Sequence, residues 1–166
     1  DIRAALWRSL NEPIDSAPLK ELAHAGEKIT MIISDVTRFW MRQDLVVPHL
    51  VDYLTQRCGV GESDITIVKV VSAQLYINSM DEIKHNAEKA QPELDAVADL
   101  LPGYQVKTQV LLGSAPGAEI VEYAKEEQID MIIMTRSSRG PLRKLGSVAT
   151  YIVRNASFLD VIVMRE

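Results

Sequence analysis

The sequence predicts a three-layer α/β fold: a five-stranded parallel sheet, helices on both faces and a helical extension ahead of the first strand. Five short apolar runs are spaced along the chain, at Lys28–Ser34, Asp64–Val71, Tyr104–Leu112, Met131–Met134 and Asp160–Met164. The segments between them carry apolar residues at helical spacing, which makes each connection a crossover and each pair of strands parallel. The first two runs are apolar at consecutive positions, as strands covered on both faces are.

In chain order, Asp1–Leu10 reads as a short helix, with Ile2, Leu6 and Leu10 recurring at fourth positions. Asn11-Glu12-Pro13 ends it, because a residue before proline is pushed out of the helical region. Ser16 is expected to cap a second helix, with Pro18 near its start and Gly26 closing the segment. The strand at Lys28 follows and ends in Ser34-Asp35-Val36-Thr37-Arg38. Val47, Leu50, Val51, Leu54 and Cys58 then form one helix face, with Pro48 tolerated only near the beginning. Gly59 and Gly61 terminate that helix before the second strand.

Met80–Leu101 is helical in composition, and Pro92 predicts a kink or two helices. Tyr104–Leu112 alternates and suits a strand with a more exposed face. Ala118, Val121 and Ala124 mark the next helix, with Glu119 and Glu122 in its early turns. After the fourth strand, Pro141 suits a first helical position. Leu145, Val148, Ala149, Ile152, Val153 and Ala156 are spaced as one buried face.

At 166 residues with 47% hydrophobic and 25% charged content, the chain suits a single soluble α/β domain, 1–166. Its apolar runs are too short to span a bilayer and no basic-then-apolar leader opens it, so no membrane partner is expected. A net charge of -5 argues against a nucleic-acid partner. The single cysteine, Cys58, excludes an internal disulfide, fits a cytoplasmic protein and reads as a small buried side chain. His24, His49 and His85 lack ligand spacing, so no metal is expected.

The chemistry concentrates after the fourth strand. Arg136, Arg139, Arg143 and Lys144 lie close together with no acid among them, beside the hydroxyls of Thr135, Ser137 and Ser138 and the backbone of Gly140. Cations, hydroxyls and free N–H groups at a helix start suit phosphate. The same pattern also describes a solvated basic loop whose hydroxyls cap the helix. In a parallel sheet ligands sit beyond the carboxyl ends of the strands where the strand order reverses, and the Asp35–Arg38 tip would meet the basic hinge there. Asp35 could equally just cap a turn.

Met134–Val148, followed by Asp160-Val161-Ile162-Val163, resembles the C-terminal signature of the universal stress protein family: a Gly-x2-Gly-x9-Gly-Ser/Thr loop, a helix and a final strand. Gly146-Ser147-Val148-Ala149 matches the last part of that pattern. Thr135 and Ser138 stand where its earlier glycines belong, and the hinge is one residue short. In the family, the full glycine pattern accompanies ATP binding. The resemblance implies a Rossmann-like, non-catalytic module with no required cofactor. Its ligand would be an adenine nucleotide, ATP or AMP, or another phosphate. Thr135, Arg136, Ser137, Ser138, Arg139, Gly140, Gly146, Ser147 and Val148 would hold phosphate and ribose, with Asp35 and Val70 near base and sugar. It also implies a homodimer paired through the last strand, whose apolar edge is otherwise guarded only by Arg165 and Glu166.

The front of the chain is similar to a different family. Asn11–Leu19, Ile33-Ser34-Asp35-Val36-Thr37-Arg38 and Asp64–Val68 resemble the N-terminal domain of nickel-dependent lactate racemase. There the Ser-Asp-x-Thr-Arg residues lie near the substrate and the phosphate of a pincer cofactor, a role that carries over to Asp35, Thr37 and Arg38. Phe39 stands where many members have proline. The family's catalytic histidines and cofactor lysine belong to later sequence, and racemisation needs bases on both faces of the carbon or a hydride acceptor. The chain therefore reads as a non-enzymatic hybrid, engineered or chimeric: a helical extension over 1–26, a racemase-like segment over 27–71 and a stress-protein-like segment over 72–166. A natural divergent protein, a hybrid without a ligand and a racemase fragment are the competing readings.

Overall fold

The structure, a computed structural model, describes residues 1–33, 43–72, 79–135 and 145–164. Helix α1 (Ile2–Asn11) is capped by Asp1, whose carboxylate accepts from the Arg3 and Ala4 amides. Helix α2 is a single turn, Leu19–Leu22. Its N-cap is Pro18, and the Ser16 hydroxyl donates to the Ala17 carbonyl instead. The expected Ser16 cap is not made, because Ser16 lies two residues before the cap position.

Strand β1 (Ile29–Ile33) is followed by α3 (Gln43–Arg57), which takes Pro48 in its second turn. Gly59, at φ 73°, turns the chain out of α3, and the Val60 amide closes back on the Leu54 carbonyl. A 3-10 turn at Glu62–Asp64 leads into β2 (Ile65–Ser72). Helix α4 (Met80–Ala98) opens with a capping box between Ser79 and Glu82. It runs as one continuous helix through Pro92, not as two. Pro92 and Glu88 are both exposed, so the carbonyl that the proline leaves unpaired, four residues back, faces water.

Strand β3 (Lys107–Gly113) begins three residues later than the alternation predicts, and Tyr104 is free to donate its phenol to Asp52 at 2.5 Å. Helix α5 (Pro116–Glu126), strand β4 (Met131–Thr135), helix α6 (Ser147–Asn155) and strand β5 (Asp160–Met164) complete the chain. Helix α6 starts later than the pattern suggests: Leu145 and Gly146 precede it, and Pro141 lies outside the described residues. Of its expected buried face, Ala149, Ile152 and Ala156 are buried, whereas Leu145 and Val153 are exposed. Leu145 comes before the helix, and Val153 sits about 100° around it from buried Ile152.

The five strands form one parallel sheet in the order β3-β2-β1-β4-β5, as the sequence predicts for an α/β fold. One face carries Ile29, Met31, Ile33, Ile65, Ile67, Met131 and Ile133 beneath α1 to α4. The other carries Ile32, Ile132, Met134, Val70 and Leu111 beneath α5 and α6. The helical extension is tied into the first of these cores. Leu10 and Leu19 are buried in it, Trp7 donates from its indole to the His49 carbonyl at 3.1 Å, and the Tyr53 hydroxyl donates to Asn11 at 2.7 Å.

Candidate functional site

From β1 the chain moves outward to β2 and β3, then returns across the sheet to add β4 and β5 on the other side of β1. The strand order therefore reverses between β1 and β4, where a parallel sheet opens a crevice at its carboxyl rim. Ile29–Ile32 pair with Met131–Met134, so Ile33 and Thr135 end two neighbouring strands at one level. The two polar tips of the sequence leave from these ends. Of them, Asp35, Thr37, Arg38, Arg136, Ser137, Ser138, Arg139 and Gly140 lie outside the described residues.

The described residues around the rim are consistent with one another. Thr135, half-buried, accepts at Oγ1 from Gln43 Nε2 at 3.4 Å, which joins the end of β4 to the first turn of α3. Val70 lies one position beyond Lys69, the partner of Ile33, so it stands above the end of β1. It packs half-buried against the α5–α6 core. Gly146 is the N-cap of α6 in an extended conformation, with no side-chain cap among the described residues. Ser147 is exposed and Val148 half-buried in that turn, which contains no acid. The N–H groups of a first helical turn and the positive end of the helix dipole favour an anion.

Sequence reasoning missed Gln43 and Lys69. Gln43 carries no motif, and its role depends on the strand order alone. Lys69 interrupts the apolar run of β2, and that interruption is the signal that could have found it. The side chain is 8% exposed and forms an ion pair with Glu93 of α4. A lysine so placed needs such a partner, since burying it unpaired would cost several kcal/mol. With Thr30 and Thr66 it makes up the buried polar set among the described residues. Cys58 is half-buried against the larger core, and burial pushes its thiol up to about 11, with a smaller contribution from Glu27. Among the described residues no three His, Cys, Asp or Glu side chains stand together as a metal site, and no helix is long and apolar enough to cross a membrane.

A profile of the Universal stress protein family matches residues 51–165. The chain belongs to the universal stress protein family. A profile of the Lactate racemase N-terminal domain matches residues 1–74, overlapping the first over 51–74, which takes in the end of α3 and all of β2. Both resemblances read from the sequence are thus found. No curated protein matches the chain. Among solved structures, the universal stress protein from Archaeoglobus fulgidus is 20% identical, with a TM-score of 0.54 over 82% of this chain and 97% of that one. UspA from Lactobacillus plantarum is 21% identical, with a TM-score of 0.56 over 84% and 99%. The Archaeoglobus fulgidus protein in complex with dAMP is 17% identical, with a TM-score of 0.54 over 82% and 96%. These likenesses establish the fold.

Proposed function

We propose that this chain is a non-catalytic binding module for an adenine nucleotide, ATP or AMP, or another phosphate-bearing ligand, held at the carboxyl rim between β1 and β4. The observation that carries this reading is the adjacency of the β1 and β4 ends at the switch point, with the acid-free first turn of α6 following β4 in the chain. Thr135, Gly146, Ser147 and Val148 would hold phosphate and ribose together with Arg136, Ser137, Ser138, Arg139 and Gly140. Asp35 and Val70 would lie near base and sugar, while Thr37 and Arg38 would add polar contacts. The dAMP complex of an Archaeoglobus fulgidus relative supports an adenylate as the first ligand to try. No cofactor is required by this reading.

Calorimetry with ATP, ADP and AMP at millimolar concentration tests it. A saturable heat, weakened by Ser147→Ala and Arg139→Ala, is expected. Absence of heat with all three nucleotides would favour the reading in which the chain folds without a ligand.

The overlap of the two family matches within α3 and β2 favours a single hybrid domain joined there, with racemase-like sequence in front and stress-protein sequence behind. On this reading the protein is no racemase, and it should leave lactate enantiomers unconverted even with pincer cofactor supplied. Its cysteine usage fits the cytoplasm. Strand β5 pairs with β4 alone among the described strands, so its free edge could join a second copy. Sedimentation should then show a concentration-dependent dimer.

A further inference from the structure

A cavity of about 230 Å³ lies at the opposite edge of the sheet, beside the amino ends of β2 and β3 and under the end of α5. Its lining includes the hydroxyls of Thr66, Thr108 and Tyr123. Thr66 is 7% exposed and Tyr123 lies in the wall, while Thr30, the register partner of Thr66, is 1% exposed. Thr30 does not itself line the cavity, and its hydroxyl has no hydrogen-bond partner of ordinary geometry. Burial raises the Tyr123 pKa, partly offset by side-chain hydrogen bonds with Thr66 and Thr30. Thr66, Thr108 and Tyr123 present hydroxyls that an occupant could hydrogen-bond.

The charges around this cavity are divided between walls. Strand β3 contributes the Lys107 ammonium and the Gln109 amide, one of whose N–H groups donates to the Val110 carbonyl at 2.8 Å. Helix α5 and its end contribute the Tyr123 phenol and the Glu127 carboxylate, and Asp64 also lines the cavity. Lys28 also lines the cavity, but its ammonium donates to the Glu127 carbonyl at 2.8 Å. A simple anion would meet the carboxylates and a simple cation the lysines. A molecule carrying both charges meets a partner at each end. The volume exceeds the ~150 Å³ that admits benzene to an apolar cavity, so a small amino acid fits.

We infer that this amino-edge cavity is a second binding site, separate from the nucleotide rim, for a small zwitterion of the α-amino-acid class. The carboxylate would lie on Lys107 and Gln109, the ammonium on Glu127 and Asp64, and a polar side chain over Thr66 and Tyr123.

Titration of the full chain with L-serine, followed by amide chemical shifts and calorimetry, tests the assignment. Saturable shifts at Thr66, Lys107 and Tyr123 are expected. Thr66→Val and Lys107→Met should each weaken binding about tenfold, the effect of losing one good hydrogen bond or charge contact. Both should keep the parent melting temperature, and Tyr123→Phe serves as a second variant if either one fails to fold. Ser147→Ala should leave serine binding unchanged, which separates this site from the rim. No saturable response to L-serine, glycine or γ-aminobutyrate would overturn the inference. So would equal binding of glycerol, or binding that ignores all three cavity variants.

Discussion

The two faces of the sheet are held in different ways. Under α1 to α4 the core is large and polar locks fix it: the Trp7 indole on His49, the Tyr53 phenol on Asn11, and the Tyr104 phenol on Asp52. Trp7 also meets Tyr53 edge to face at 5.5 Å and lies beneath the Arg3 and Arg57 guanidinium groups. Under α5 and α6 the core is smaller. It relies on close approach, since a Cβ added to Gly117 would come within 2.9 Å of the Tyr151 Cβ. That face leaves Tyr151, Val153 and Phe158 exposed and keeps the hydroxyls of Thr30, Thr66 and Tyr123 near the sheet. The difference shows how a helical segment ahead of the first strand becomes part of a fold: it is bonded to α3, so it shares that core.

The largest effects should come from emptying either core. Leu54→Ala on the first face and Ile120→Ala on the second remove side chains that are 0% and 1% exposed, and each should cost about 2–5 kcal/mol in urea unfolding. One transition, shifted by both variants, is expected for a single cooperative domain. Two transitions, each moved by only one variant, would break the comparison into independent units. Next in size, Gly117→Ala should cost about 1–3 kcal/mol, because the new methyl meets a Cβ and not the free end of a side chain. A neutral result would mean that α5 and α6 are less tightly apposed.

Tyr53→Phe sharpens the account of the first face. It removes the hydrogen bond to Asn11 without changing the ring, and about 0.5–1.5 kcal/mol should be lost. An unchanged midpoint would mean that the polar lock adds no stability and apolar contact alone holds the extension. The smallest effect concerns pH. Burial raises the Cys58 thiol from 9.0 to about 11, so the folded state holds its proton more tightly than the unfolded chain. Stability from this group is complete below about pH 9 and is lost as pH rises toward 11. Cys58→Ala should flatten that decline, leaving the part due to Tyr53 and Tyr123, whose phenols burial also raises. Identical alkaline profiles for parent and variant would contradict the thiol's role.

The order of elements could be read in advance because each strand is a largely apolar or alternating run and each helix has a periodic face. Their ends were harder to read where local chemistry competes with context. Pro92 suggests a break, yet on an exposed surface water satisfies the freed carbonyl and α4 continues. Pro141 invites an early helix start, yet Leu145 and Gly146 are not helical. The rim was legible in outline, since the reversal at β1 and β4 follows from connectivity rules. Gln43 and the Lys69–Glu93 pair were not, because only the register and the tertiary approach of α3 and α4 bring them there.

The most direct test of the central claim is the map of amide shifts on titration with AMP. The account predicts saturable changes at Ile33, Gln43, Val70, Thr135, Gly146, Ser147 and Val148, with Lys28, Lys107 and Glu127 at the opposite edge unmoved. Saturable binding whose shifts gather at that opposite edge, or no shifts at millimolar AMP, would contradict it.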